Sequence, residues 1–241
     1  MCSLPIVEIK DLSKKFGRHV ALNGVSLSVS AGESFAILGP NGAGKTTLVR
    51  ILSTLLKPSS GTVKIAGYDV AREPEKIKQQ IGVVSHNPFL YDDLTAFENL
   101  AFYADLYGAG RGNIDALIKK VDLYERRDNF VGEFSRGMKQ RLSIARSLLH
   151  EPQILILDEP GTGLDIQSKR MFYDTIKGLN KKGTTVLLTT HYLDEAEELC
   201  QKAAILDRGA VKASGKYEEI KGNSGAESLE DAYIKLTGET R

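Results

Sequence analysis

Glycines, a lysine and hydroxyl residues fall together at Gly39-Pro40-Asn41-Gly42-Ala43-Gly44-Lys45-Thr46, in the order GxxxxGK[ST]. Glycines let the backbone curl until consecutive N–H groups face one point, and a helix start adds positive potential there. That arrangement cradles phosphates: Lys45 reaches the β and γ phosphates and the Thr46 hydroxyl holds Mg2+. Thr47, next in the chain, belongs with the same contacts. The setting supports the motif. The apolar run Phe35-Ala36-Ile37-Leu38 before it reads as a buried strand, and the periodic apolar run from Thr46 to Leu56 reads as a helix stopped by Lys57-Pro58-Ser59-Ser60-Gly61.

A second chemical feature is the carboxylate pair Asp158-Glu159, which follows the apolar run Ile154-Leu155-Ile156-Leu157. Carboxylates at the end of a parallel strand stand where an open α/β sheet binds its ligands. Asp158 is suited to Mg2+ at one remove, and Glu159 to orienting or deprotonating the water that attacks a γ-phosphate.

The elements that must carry these groups follow from periodicity. Segments Ile6–Ile9 and Val25–Val29 alternate like antiparallel strands, whereas 154–157 and Thr185-Val186-Leu187-Leu188 are continuously apolar, as in a parallel sheet covered on both faces. Between about 95 and 150 the spacing is helical, with Leu94, Phe97, Leu100, Ala101, Leu117, Ile118, Val121, Leu142, Ile144, Ala145 and Leu148 on apolar faces. Asp207-Arg208-Gly209 reads as a turn before a hairpin strand through Val211 and Ala213, and 228–236 as a closing helix. The expected fold is α/β: a P-loop NTPase with a RecA-like parallel sheet core, an N-terminal antiparallel β region and an inserted α-helical subdomain. The expected division is one domain over 5–238, with its core in 1–88 and 151–215, the helical part in 89–150 and a helical tail in 216–241.

Composition narrows the function. The chain has 241 residues, 41% of them hydrophobic, enough for a sizeable core. With 32 Lys+Arg against 31 Asp+Glu the net charge is +1, so bulk electrostatics give no reason to expect nucleic acid or an anionic membrane as partner. Cys2 and Cys200 read as free thiols of a reducing compartment, and no apolar run is long enough to span a bilayer.

At Glu133-Phe134-Ser135-Arg136-Gly137-Met138-Lys139-Gln140-Arg141, shortly before the acid pair, the chain resembles the signature segment of ATP-binding cassette (ABC) proteins. A Ser-x-Gly turn opening a helix makes an anion site of backbone amides and a hydroxyl. In this family it is offered to the γ-phosphate held by another subunit, so Ser135, Arg136 and Gly137 imply a dimer. Further landmarks match in order: Phe16 stands where an aromatic stacks on adenine, His191 where the switch histidine donates to the γ-phosphate, and Asp165, in Gly161-Thr162-Gly163-Leu164-Asp165, where a loop crosses to the partner. The resemblance covers nearly the whole chain. It implies an ATP hydrolase using ATP and Mg2+, cytoplasmic and peripheral on the inner face of the cell membrane, paired with a second ATP-binding subunit (a homodimer) and with an integral membrane permease subunit whose short helix docks near His86 to Leu100. Two rivals use the same motifs: a soluble ABC factor acting on ribosomes or nucleic acid, and a regulatory module that holds ATP without turnover.

One departure stands out. Where the family usually has glutamine, Ile81-Gly82-Val83-Val84-Ser85-His86-Asn87-Pro88 has His86, and this segment with Phe89-Leu90-Tyr91-Asp92-Asp93-Leu94-Thr95 is similar to haem exporter ATPases of cytochrome c maturation. Ser228-Leu229-Glu230-Asp231-Ala232-Tyr233 is instead similar to drug and polysaccharide exporters. A neutral imidazole hydrogen-bonds a metal-bound water, whereas an imidazolium repels the metal. Substituting His86→Gln is therefore expected to raise ATPase activity on the acid side of neutrality relative to the native chain; superimposable pH profiles would contradict that role.

Overall fold

All five residues of the strand Ser34–Leu38 are buried, a condition met only where both faces of a sheet are covered. The rest of the chain supplies that cover. The computed structural model describes residues 5–238, so Cys2 lies outside the described residues. In chain order the elements are β1 (Val7–Phe16), β2 (His19–Val29), β3 (Ser34–Leu38), α1 (Lys45–Leu52), β4 (Ser60–Ile65), β5 (Tyr68–Asp69), α2 (Pro74–Lys78), β6 (Ile81–Ser85) and α3 (Ala96–Tyr107). They continue with α4 (Ile114–Lys120), α5 (Arg136–Ser147), β7 (Ile154–Asp158), α6 (Ile166–Asn180), β8 (Thr185–Thr190), α7 (Leu193–Leu199), β9 (Lys202–Asp207), β10 (Ala210–Lys216), α8 (Tyr217–Ser224) and α9 (Leu229–Thr237).

Two sheets result. An antiparallel sheet runs β2-β1-β4-β5, and a larger one runs β10-β9-β3-β8-β7-β6, parallel from β9 to β6 with β10 antiparallel at its edge. Side chains alternate across a strand, and here they divide between two cores. Phe35, Ile37, Ile154, Ile156 and Leu187 face α1 and the antiparallel sheet, joining Leu12, Leu27, Leu48 and Ile51. Ala36, Leu38, Leu155, Leu157, Val186 and Leu188 face the other way, onto α3 to α6 through Leu100, Ile118, Leu142, Ile144 and Phe172. The helical segment thus shares one core with the sheet, and so does the C-terminal tail, through Ile220, Leu229, Ala232 and Tyr233.

This is the expected α/β architecture, with corrections of extent. Helix α1 stops at Leu52 rather than Leu56, because Thr54 turns the chain at φ 62. Strands β1 and β2 run through the polar residues between the two apolar segments, held by cross-strand pairs such as Lys14↔Leu22. The partner of the last hairpin strand, β9, carries Ala203-Ala204-Ile205-Leu206, alanine-rich and weak by strand propensity, yet buried between β3 and β10.

Helix α3 begins with a reciprocal cap: the Thr95 hydroxyl accepts from Glu98 N at 3.2 Å, and Glu98 accepts from Thr95 N at 2.9 Å. Replacing Thr95→Ala should cost about 1 kcal/mol, read as an earlier midpoint in urea unfolding; an unmoved midpoint would show that the cap contributes nothing.

Candidate functional site

The parallel register sets the site. Leu38 pairs with Thr190, Asp158 with Thr189 and Ser85 with Asp158, so the strands end together. The residues that follow each end, Gly39, Glu159, His86 and His191, therefore emerge on one edge of the sheet, where open α/β folds bind ligands.

The phosphate loop leaves β3 through positions only glycine fills. A β-carbon on Gly39 would collide with the Leu206 carbonyl, and one on Gly44, at φ 109, would stand 2.6 Å from the Ala21 carbonyl oxygen. Inside this turn Lys45 is 4% exposed. Its ammonium donates to the Gly39 carbonyl at 2.6 Å and the Pro40 carbonyl at 3.0 Å, and lies 3.5 Å from Glu159 Oε1. The cation is thus aimed across the loop mouth, toward the place an anionic oxygen would occupy. Asn41 and Gly42 are exposed on the loop, Ala43 is buried beneath it, and Thr46 and Thr47 open α1, Thr46 facing solvent.

Glu159 has φ 48, uncommon for a residue with a side chain, and is held there by its N–H donating to the Thr189 carbonyl at 2.9 Å. The turn directs its carboxylate at two partners, Lys45 and the His191 ring, whose Nδ1 lies 3.4 Å from Glu159 Oε1. Asp158, one residue earlier and 9% exposed, accepts from the Thr189 hydroxyl at 2.5 Å through Oδ1, while its carbonyl accepts from His86 N. The second carboxylate oxygen of Asp158 and the Thr46 hydroxyl are hard oxygen donors, the kind Mg2+ takes in small number when phosphates and water complete its shell. Among the described residues no group of three or more His, Cys, Asp or Glu could hold a metal ion.

Phe16 ends β1 opposite His19, 47% exposed with the Lys14 ammonium 5.2 Å from its ring centre. The same hairpin meets the phosphate loop at Ala21 and Leu22, the nearest neighbours of Gly44. A flat aromatic face therefore stands at the tip of the hairpin that meets the loop.

The remaining expected residues gather elsewhere. Ser135 caps α5, its hydroxyl accepting from Met138 N at 3.2 Å, and Asp165 caps α6, accepting from Ser168 N at 2.8 Å and the Ser168 hydroxyl at 2.7 Å. Those bonds hold the Asp165 carboxyl below its ordinary range. Gly137 lies so close to Ser168 that a β-carbon would overlap it, and the Arg136 guanidinium covers Gly163. Hence 135–137 and 161–168 form one unit along α5 and α6. The structure joins loop 39–47, Asp158, Glu159 and His191 into one half-site, and builds the Ser135 group as another. Thr189, which the sequence reading missed, fastens Asp158 and Glu159 together. Its signal was a hydroxyl pair, Thr189-Thr190, closing an otherwise apolar strand.

The chain resembles known proteins along most of its length. A family model described as ABC transporter matches residues 22–162. The linearmycin resistance ATP-binding protein LnrL of Bacillus subtilis is 38% identical over 236 residues, covering 96% of this chain and 75% of the relative. A Nod factor export ATP-binding protein I of Burkholderia orbicola is 37% identical over 217 residues, covering 88% and 71%. Among solved structures, an ATP-binding subunit of an ABC transporter superposes with a TM-score of 0.86 at 34% identity, covering 96% of this chain and 99% of that one. An ATP-binding cassette in a dimeric post-hydrolysis state, bound to ADP and phosphate, superposes at 0.78 with 30% identity, covering 87% and 98%.

That the two groups are built on different elements makes a sharp expectation. Gly137→Ala, which pushes Ser168 off Asp165, should lower ATP hydrolysis at least about tenfold while nucleotide affinity of the single chain is retained; parallel loss of affinity, measured by equilibrium titration, would contradict the division.

Proposed function

The chain belongs to the family of ABC transporter ATP-binding proteins and is an ATP hydrolase, and on that footing we propose that it drives export through a separate integral membrane permease, two copies closing head to tail over two ATP molecules. One observation carries the reading: the completed half-site at Lys45, Asp158, Glu159 and His191 contains no signature serine, and the Ser135 group is built on a different pair of helices. A second copy brings that group to the first copy's γ-phosphate. The dimeric cassette structure supports the same assembly.

Each residue has a task in this cycle. Phe16 stacks on adenine, the backbone N–H groups of the phosphate loop and the Lys45 ammonium bind the phosphates, and Thr46, with Asp158 at one remove, would hold Mg2+. When bound, Mg2+ neutralises charge on the phosphate oxygens. Glu159, fixed between Lys45 and His191, orients the attacking water and accepts its proton, and His191 steadies the γ-phosphate. The partner's copies of Ser135 and Gly137 cap that phosphate from the far side, and Asp165 ties the crossing loop to α6. His86, exposed at the sheet edge one strand from Asp158, is placed to report the occupied site to the permease.

The permease would dock in a groove of about 610 Å3 between the end of α1, α2, β6, α3 and α5, where Leu55, Phe89 and Leu106 are 76%, 59% and 65% exposed. No helix among the described residues is long and apolar enough to cross a membrane. In this reading the conducting path belongs to that partner, and this chain is cytoplasmic and peripheral on the inner face. The named relatives are a linearmycin resistance and a Nod factor export ATP-binding protein, which supports export as the direction of transport. Haem export, read from His86 and its neighbours, finds no support among them and is withdrawn; a ribosomal or nucleic-acid role is likewise not favoured.

Two experiments test this. Tagged Glu159→Gln chain with ATP should run as a dimer and bring integral membrane subunits out of gently solubilised membranes; a monomer at saturating ATP, or ribosomes in place of membrane subunits, would overturn the assignment. Leu106→Glu should abolish that co-purification while ATP hydrolysis by the isolated chain stays within about twofold, since it alters an exposed side chain remote from the phosphates; retained co-purification would exclude the groove.

A further inference from the structure

Glu195, on α7, is fully buried. A carboxylate inside a protein is costly unless several donors compensate it, and burial raises the carboxyl above its ordinary range while hydrogen bonds from Thr190 and Tyr173 act the other way. Those bonds are specific. The Thr190 hydroxyl donates to Glu195 Oε2 at 2.5 Å, and the same hydroxyl oxygen accepts from Tyr192 N at 3.1 Å. The residues on either side of His191 are thereby tied through a single hydroxyl, whose proton is directed by Glu195.

The other carboxylate oxygen faces a different element. Oε1 accepts from the Tyr173 hydroxyl of α6 at 3.1 Å, and the Gly161 backbone lies against it so closely that a β-carbon there would overlap it. Asp165, the end of the 161–165 loop, caps helix α6. One buried carboxylate therefore touches both the loop that ends in His191 and the loop that crosses to a second copy. The Lys169 ammonium, 5.0 Å from the Tyr192 ring centre and 4.0 Å from Asp194, closes the same cluster from α6.

We propose that Glu195 is a positioning residue for ATP hydrolysis: through Thr190 it fixes where the His191 ring stands relative to Glu159, and through Tyr173 and Gly161 it registers that ring with the 161–165 loop. The proposal rests on the reading of His191 given above. A residue that acts only through His191 changes the chemical step and leaves ATP binding alone, and it loses its influence when His191 is gone.

The test is single-turnover ATP hydrolysis and equilibrium ATP binding by the purified full chain, for Thr190→Val, Glu195→Leu and Glu195→Gln, each also combined with His191→Ala. Thr190→Val, close in shape, removes the link without leaving a cavity, so it reports even where Glu195→Leu fails to fold. Expected are an approximately tenfold or greater fall in rate for Thr190→Val and Glu195→Leu, ATP affinity within about twofold of native, and recovery of most of the rate in Glu195→Gln, whose amide keeps an acceptor for Thr190. In the His191→Ala background the Thr190→Val change should have no further effect. If instead its fall multiplies with that of His191→Ala, or affinity falls with rate, the positioning role is overturned while the site reading stands. A native rate in His191→Ala alone overturns both.

Discussion

The shared ending of four parallel strands governs everything else in this molecule. Because β3, β8, β7 and β6 stop in register, with Leu38 beside Thr190, Thr189 beside Asp158 and Asp158 beside Ser85, loops distant in sequence leave the sheet side by side. A one-residue slip of any strand would turn its alternate side chains to the other core, so burial of Ala36, Leu38, Leu155, Leu157, Val186 and Leu188 on one face and of Phe35, Ile37, Ile154, Ile156 and Leu187 on the other holds the catalytic edge in place. Apolar packing, nonspecific in itself, thus fixes where the chemical groups stand.

On that edge the charged groups restrain one another. Lys45 is held by two loop carbonyls and faces Glu159, Glu159 faces His191, and Asp158 is held by Thr189. In the proposed cycle an incoming phosphate meets an ammonium already directed at it, which is how preorganised electrostatics lower a barrier without reorganisation at the moment of reaction. The second half-site is built on helices: Ser135 and Asp165 each cap their own helix, and α5 and α6 approach closely at Gly137. Two preassembled groups on different elements of one chain suit a machine that opens and closes as bodies rather than one that folds a loop over its substrate.

The sequence disclosed the parts whose chemistry is local. Gly39 to Thr46 were legible because a curled loop demands glycine, and Asp158-Glu159 because a continuous apolar run announces a buried strand whose end must carry something polar. The parts that escaped depend on tertiary contact. Strand β9 hides in an alanine-rich run that becomes a strand only between β3 and β10, and β1 and β2 extend through polar residues because pairing, not hydrophobicity, holds them. Thr189 and Glu195 were invisible as functional residues, since a threonine in a strand and a glutamate in an acidic helix are ordinary until their hydrogen bonds are seen. The landmarks Phe16, His191 and Asp165 came from resemblance to a family, and the geometry gives each a physical position without which the likeness would be only a pattern.

The central claim, that each ATP site is completed by a second copy, is tested most directly by mixing two inactive chains, one Lys45→Ala and one Ser135→Arg. Each homodimer lacks a necessary half of both sites, whereas the mixed dimer joins the intact phosphate loop of one chain to the intact signature serine of the other. With random pairing of equal amounts, about a quarter of the native sites per chain should recover, and ATP hydrolysis should reappear on mixing. A mixture as silent as its components would contradict the composite site, and turnover by Ser135→Arg alone would place a complete site within one chain.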